Sequence, residues 1–370
     1  MRAGIVLISP LIPILKTYFN INNLTVSILA GIPILCFSLS SIFMSLVSKL
    51  GSSDRIIKFA ITTLAAGQLG RIFGGIVGLF FFTFVIGIAV AIMNYEIPTW
   101  IKENAENQTG AMTGTYVALM GICAGISVAV SVPLAKATSF SWRLALVPWL
   151  VLAIIASIYW NLRKAPSRKS NEQIVLSFWK SKMIKSPIAW ALVAFFGLQS
   201  VLFYATATWL PTILMTKGFT LSQGAFYISV TGILGSLVSL TVPHYLGRVQ
   251  DKRLILISLA ILQIISYLMM INQRGHILFL WLLVTNIGMS IQFPVGLMLA
   301  GVKTKSVADT RLLSTMMQSI GYLIAALGPT YMGSIFDLTK SWNWALDGII
   351  LVCVIQAFVS LIVGRNTTID

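Results

Sequence analysis

Residues 11–35, LIPILKTYFNINNLTVSILAGIPIL, are echoed by residues 210–234, LPTILMTKGFTLSQGAFYISVTGIL, and this echo decides the fold. It sets Pro13 against Pro211, Phe19 against Phe219 and Gly31 against Gly232, at an offset of about 200 residues. Further along, Leu50-Gly51-x-x-Asp54-Arg55 answers Leu246-Gly247-x-x-x-Asp251-Lys252-Arg253, Pro98 answers Pro294, and Gly121 with Pro133 answers Gly321 with Pro329. A single match is within chance; several in the same order point to a duplicated half.

The 370 residues are 57% hydrophobic and only 10% charged, with a mean hydropathy of +0.89. Soluble domains hold about 45–50% apolar and ~25% charged residues, so a water-soluble fold is excluded. The apolar runs are continuous over about 18 to 25 residues, the length of a bilayer-crossing helix and not the alternating ~10-residue pattern of a barrel strand. Backbone groups in lipid must bond within the segment, which also demands helices. Twelve spans are expected at about 3–19, 24–48, 56–74, 76–99, 109–135, 142–162, 187–215, 222–246, 253–272, 277–301, 310–336 and 343–364. The weakest division lies inside 56–99, where only the stretch GQLGRIFGG with Arg71 interrupts the apolar run; its glycines are read as helix punctuation, and the combined length is too great for one crossing. The predicted fold is an all-α integral membrane protein of twelve transmembrane helices in two six-helix bundles, residues 1–162 and 187–370. A basic linker, 163–186, joins them. Six plus six spans with a duplicated half is the architecture of two-bundle secondary transporters, whose solute site lies near the midplane between the halves.

A formal net charge of +16 would suggest nucleic acid in a soluble protein, but here the positive-inside rule accounts for it. Assigning loops alternately puts 18 basic residues on one side and 7 on the other, leaving Arg2 aside. The richer side is read as cytoplasmic, with both termini on it, in a multi-pass protein of the cell membrane. The linker carries no base-reading machinery, so no nucleic-acid partner is expected, and an ordinary cytoplasmic loop is preferred to a site for anionic lipid headgroups. Cys36, Cys123 and Cys353 sit in apolar runs without paired spacing, which argues against a disulfide framework or a metal site. No nucleophile elbow, phosphate-binding Gly-Lys-Ser/Thr loop or Cys-x-x-Cys pair occurs. The chain is therefore read as a non-enzyme without a cofactor, a monomer in the bilayer whose partner is a small-molecule solute.

The two LG…D strings fall in matching turns, after spans 2 and 8, and resemble the short-loop signature of the major facilitator superfamily. The second copy fits well; the first is one residue short and sparse in base. An Asp there caps the next helix, and the neighbouring base can pair with a carboxylate or a helix C-terminus. Asp54, Arg55, Asp251 and Arg253 are thus candidates for a gating latch, the plainer alternative being a polar turn. Four further stretches, MRAGIVLISPLIPIL, NYEIPTWIK, FGLQSVLFYATATWLPTIL and QFPVGLML with MMQSIGYLIAALGP, resemble one branch of that superfamily, the cyanate and nitroimidazole porters. The resemblance implies a twelve-span porter for a small anionic or weakly polar solute.

Polar groups inside apolar helices are functional candidates because each is costly when unpaired. Arg2 matches an Arg that precedes the first-span prolines in that family and offers five donors and a fixed charge to an anion. Only Ala3 to Leu15 is uncharged between Arg2 and Lys16, about 20 Å of helix against a ~30 Å hydrocarbon core. The first helix is therefore expected to be truncated, with Met1 a misplaced start, the alternatives being a short helix whose Arg2 snorkels to the surface or a signal peptide, for which no cleavage site follows. Gln199 and Tyr204 read either as site-lining or as interhelical bonding groups, and Trp209 as an interfacial anchor. Asn94, Gln292 and Gln318 join Arg2, Gln199 and Tyr204 as substrate-binding candidates. Glu96 is the proton-coupling candidate, with a solvated carboxylate at the span end as the default; Asp347 is the other intramembrane acid, and His244 and His276 read as interfacial. Together these residues point to alternating-access transport of a cyanate-like anion. The alternatives are export of a neutral nitroimidazole-like or drug-like aromatic compound, and a non-transporting solute sensor built on a porter scaffold.

Overall fold

Apolar runs that cannot bond their backbones to water close those bonds inside helices, and the computed structural model of the chain is built accordingly. It describes residues 2–40, 43, 47, 51–104, 109–137, 141–163 and 182–369. In chain order the helices are α1 (Ala3–Phe19, relaxed at Leu7), α2 (Asn23–Ser38), α3 (Ser53–Phe73), α4 (Gly75–Asn104), α5 (Thr109–Ala137) and α6 (Val147–Leu162). The second six are α7 (Pro187–Thr216), α8 (Leu221–Arg248), α9 (Arg253–Asn272), α10 (Leu278–Val302), α11 (Val307–Ala325 continued by Leu327–Thr339) and α12 (Trp342–Val363). Among the described residues ten helices are long and apolar enough to cross a membrane, and α1 and α2 are shorter apolar helices. The expected linker lies outside the described residues except for Arg163 and residues 182–186.

Local chemistry sets the boundaries. Asn22 caps α2 by accepting from the Thr25 N–H at 2.9 Å, and Ser186, Ser306 and Ser341 cap α7, α11 and α12 in the same way. The echoed stretches end their first helices alike, with a residue in the left-handed region: Asn20 at φ 50° after α1 and Gly218 at φ 96° after α7. The weak division falls at Gly74-Gly75, where Gly75 takes φ 59°. Arg71 therefore belongs to the last turn of α3 and is fully buried, donating to Gln68 Oε1 at 2.7 Å. The break falls at the glycines, between the expected spans 56–74 and 76–99, and Arg71 lies inside the first of them.

Packing repeats with the sequence. In the first half α3 packs on α4 and α6, α2 on α4, and α1 on α5; six helices later α9 packs on α10 and α12, α8 on α10, and α7 on α11. The halves meet through α2 against α11, α5 against α8, and α1 against α7. Exchanging each helix for its counterpart six places on maps the first two contacts onto each other and the third onto itself, the pattern of a two-fold relation.

At one end, carrying Asn20, Gly218 and Lys340, α2 and α11 touch through glycine. A Cβ on Gly333 would lie 2.2 Å from Ser27 Oγ and 2.8 Å from Trp209 Cζ2. A Cβ on Gly232 in α8 would meet nothing within 4 Å. Gly333→Ala should therefore lower stability by about 1–3 kcal/mol through overpacking, whereas Gly232→Ala should be neutral or stabilising by up to ~1 kcal/mol. Thermal unfolding of both variants in one detergent checks the contrast; equal melting temperatures would refute it.

Candidate functional site

Arg2, at the start of α1, is aimed between the halves. Its guanidinium carbon lies 5.9 Å from the centre of the Phe203 ring and 5.7 Å from that of Phe293. The Tyr204 hydroxyl lies within hydrogen-bonding reach of it, and the Tyr322 and Tyr116 hydroxyls lie within electrostatic range. Phe203 and Tyr204 stand near the middle of the thirty-residue α7, and Phe293 near the middle of α10. Arg2 therefore sits at mid-depth of the helices it faces, not at their ends. Among the described residues no carboxylate acts on it, so its charge rests on ring faces and phenol oxygens alone. Arg2, Tyr116, Phe203, Tyr204 and Phe293 are all half-buried within their spans, as expected of side chains lining an internal space.

The aromatic walls are held by a close helix crossing. A Cβ on Gly197 would lie 3.3 Å from Gly321 Cα, and one on Gly321 would lie 2.8 Å from Phe196 Cδ1. Small residues at both positions let α7 and α11 touch by their backbones. That brings Tyr322 to 5.3 Å from Phe196, 6.2 Å from Tyr204 and, across the halves, 5.5 Å from Phe37, measured between ring centres. Phe196 in turn lies 5.7 Å from Phe293, and Phe203 lies 5.1 Å from Tyr204. The rings thus form a chain on the second half, Phe293–Phe196–Tyr322–Tyr204–Phe203, and the cation from the first half lies against its two end rings.

The other expected site residues divide. Asn94 joins the group, its Oδ1 accepting from the Tyr116 hydroxyl at 3.4 Å. Gln318 is half-buried one turn before Tyr322, on the same face of α11. Gln199 instead bonds its own helix, donating to Phe196 O at 3.1 Å and to Ser200 Oγ at 2.6 Å. Gln292 donates to Gln263 Oε1 of α9 at 3.1 Å and is fully buried within its half. Glu96 is buried beside Ser53, which corrects the default of a solvated carboxylate. Trp209 is wholly buried and donates to Pro329 O at 2.9 Å, so it is no interfacial anchor. His276 is exposed and bonded to the Tyr227 hydroxyl, Asp347 is exposed, and the His244 side chain lies outside the described residues. Tyr116, Phe203, Phe293 and Tyr322 were missed; the last three lie within the strings quoted for the family resemblance, passed over as apolar filling.

The expected latch residues sit at the end opposite Asn20. Asp54 accepts from Trp100 Nε1 at 3.1 Å and lies 3.9 Å from Arg163, which stacks over Trp100 and Trp160. Arg55 lies beside it on α3 and is exposed. Asp251 and Arg253 close on each other, with N–O distances of 2.5 to 3.0 Å, and the Arg253 N–H also donates to Asp251 Oδ1. These bonds pull the Asp251 carboxyl down to about 2. Because the value is depressed, the pair's contribution is complete above the free-carboxyl value of about 4 and is lost only as pH falls through about 2.

Bonds joining the halves include one far from Asn20, from the Ser38 hydroxyl at the end of α2 to Ser319 O of α11 at 2.6 Å, and a group of them toward the Asn20 end. Pro211 has no N–H, so the Ala207 carbonyl one turn earlier loses its helical donor; the Ser9 hydroxyl of the other half donates to it and, at 2.9 Å, to Thr208 O. Ser27 donates to Pro329 O at 3.0 Å. Asn23, fully buried, accepts from Lys16 Nζ at 2.5 Å and donates to Asp337 Oδ1 of α11 at 2.5 Å. A cavity of about 550 Å³ at this end, lined by Pro13, Ile14, Thr17, Tyr18, Lys136, Met215 and Leu221, includes none of the groups around Arg2.

The chain matches the family model described as Major Facilitator Superfamily over residues 1–329. It is 30% identical to the uncharacterized transporter YycB of Bacillus subtilis, covering 99% of this chain and 91% of that protein. It is 27% identical to the 2-nitroimidazole transporter of Escherichia coli, covering 98% and 91%, and 22% identical to the cyanate transport protein CynX of the same organism, covering 95% and 91%. Among solved structures, a bacterial homolog of the human lysosomal transporter Spinster, inward-facing and occupied, superposes with a TM-score of 0.78 at 13% identity, covering 98% of this chain and 94% of that one. A D-xylose–proton symporter gives 0.72 at 12% identity, covering 96% and 94%. At such identities the structures establish the shared fold.

Removing the acceptor at Asp337 leaves the Asn23 amide without its partner. Asp337→Ala should cost about 1–3 kcal/mol, toward the lower end because Asp337 is half-exposed, and Asp337→Asn should recover most of it by keeping an oxygen in place. Unfolding in detergent measures both; an alanine variant as stable as the parent would exclude the bridge.

Proposed function

The chain belongs to the major facilitator superfamily, and from that premise we propose that it moves a small anionic solute across the cell membrane by alternating access, with Arg2 receiving the negative charge. One observation carries the reading: a fixed guanidinium at mid-depth, between the halves, with no carboxylate among the described residues acting on it. Leaving a cation unpaired among helices is costly, and an anion that arrives there relieves the cost. Asn94, through Tyr116, and Gln318 complete the polar side of the site. The names of two relatives, a cyanate and a 2-nitroimidazole transporter, bracket the solute chemistry between a small inorganic anion and a flat nitro-heterocycle.

The charge count assigns the Asp54–Asp251 end to the cytoplasm, with both termini there. The bonded Asn20 end is then the outer one, and the solute would enter or leave from the cytoplasmic side in the state described. The Asp54 and Asp251 turns act as latches at that side when the halves rock the other way. Glu96, buried beside Ser53, is the acid that proton coupling would use, and the chain works as a monomer. A second reading, transport of a neutral nitro-aromatic compound, is favoured by the ring-lined walls around Arg2.

Transport into proteoliposomes separates the two. Arg2→Gln should weaken the apparent affinity for a small anion about 10- to 100-fold, the worth of a charged hydrogen bond. Arg2→Lys should fall between, keeping charge but losing the planar fork. Unchanged anion kinetics in Arg2→Gln, or flux of a neutral nitro-aromatic alone, would overturn the anion reading.

A further inference from the structure

The anion reading of Arg2 leaves the rings around it without a purpose. A three-atom anion such as cyanate meets the guanidinium and touches little else, and for it small polar side chains or backbone N–H groups would serve as walls. The structure instead sets the cation over Phe203 and Phe293 at 5.9 and 5.7 Å, Phe203 packing edge-to-face on Tyr204 and Phe293 reaching Tyr322 through Phe196. A guanidinium lying over ring faces keeps the N–H groups of its edge free, so it can hold a carboxylate without leaving the rings. An apolar wall also spares the solute desolvation only where the solute is apolar, and aromatic partners gain further from edge-to-face packing.

Resting on the anion reading, we propose that the solute is an aromatic monocarboxylate: its carboxylate bonds Arg2, contributed by the first half, and its ring packs among Phe203, Tyr204, Phe293 and Tyr322, all contributed by the second. The Tyr204 and Tyr322 hydroxyls provide donors for the carboxylate's remaining lone pairs or for a ring substituent. Because the charge and the ring are recognised by different halves, a bound solute ties α1 to α7, α10 and α11. Binding therefore favours the arrangement in which the halves are closed over it.

The test uses the full chain in proteoliposomes with four labelled compounds: benzoate, cyclohexanecarboxylate, cyanate and 2-nitroimidazole. Benzoate and cyclohexanecarboxylate share charge and size and differ in the π face. Benzoate should be carried saturably, with an apparent affinity about tenfold or more above that of cyclohexanecarboxylate. Phe203→Leu and Phe293→Leu should bring that ratio toward one, Phe293→Tyr should largely keep it, and Arg2→Gln should abolish benzoate transport. Each variant's elution profile and melting temperature are compared with the parent's, so that misfolding is not read as lost selectivity. Equal affinities for benzoate and cyclohexanecarboxylate in the parent would overturn the proposal. Arg2-dependent cyanate flux without benzoate flux would overturn it while leaving the anion reading intact. Flux of 2-nitroimidazole alone, indifferent to Arg2→Gln, would overturn both.

Discussion

Inside a bilayer a backbone carbonyl has no water to turn to, and this constraint governs how the two halves are joined. Within a helix every carbonyl is spoken for, so one helix can be bonded to another only through side chains or where the ladder has been opened. Pro211 opens it at Ala207, and the Ser9 hydroxyl takes the freed oxygen from across the interface. The Pro329 carbonyl, whose own helical donor is the Gly333 N–H, accepts side-chain bonds from both Ser27 and Trp209, one from each half. Pro211, which looks like a defect in an apolar run, is here a place where one bundle can hold the other.

The same scarcity explains the contrast between the two ends. At the Asn20 end, hydroxyls and amides reach across to the opposite half and glycine lets the backbones close. At the Asp54 and Asp251 end the charged side chains described bond within their own half: Asp54 with Trp100 and Arg163, Asp251 with Arg253. Charges committed in this way rigidify the turns of each bundle. They become available to the other half only if these local pairs are exchanged.

Much of the fold was legible because hydrophobic length and repetition are properties of the chain read in order. Pro13 with Pro211 and Asn20 with Gly218 mark equivalent turns before any coordinate is known. The site was legible in part. Arg2, Tyr204 and Asn94 stand out as polar groups in apolar helices, and the fold gathers them. Gln199 and Gln292 stand out for the same reason yet are spent on Ser200 and Gln263, because an amide in hydrocarbon needs a partner whether or not a solute is present. Phe203, Phe293 and Tyr322 could not be separated from ordinary core aromatics, since only the Gly197–Gly321 crossing gives them a shared face. Trp209 was misplaced by position along the helix, which says nothing of which neighbour covers a side chain.

The Asn23 amide has a direction. Its oxygen faces the ammonium of Lys16 and its nitrogen faces the carboxylate of Asp337, so the group works as an oriented dipole between opposite charges. Were those charges interchanged, with an acid at position 16 and a base at position 337, the amide could turn over by half a revolution and join them again. An aspartate at position 23 would have no such choice, because it would repel the acid whichever way it turned. An amide there leaves the sign pattern of the two neighbours free to invert together, but not singly.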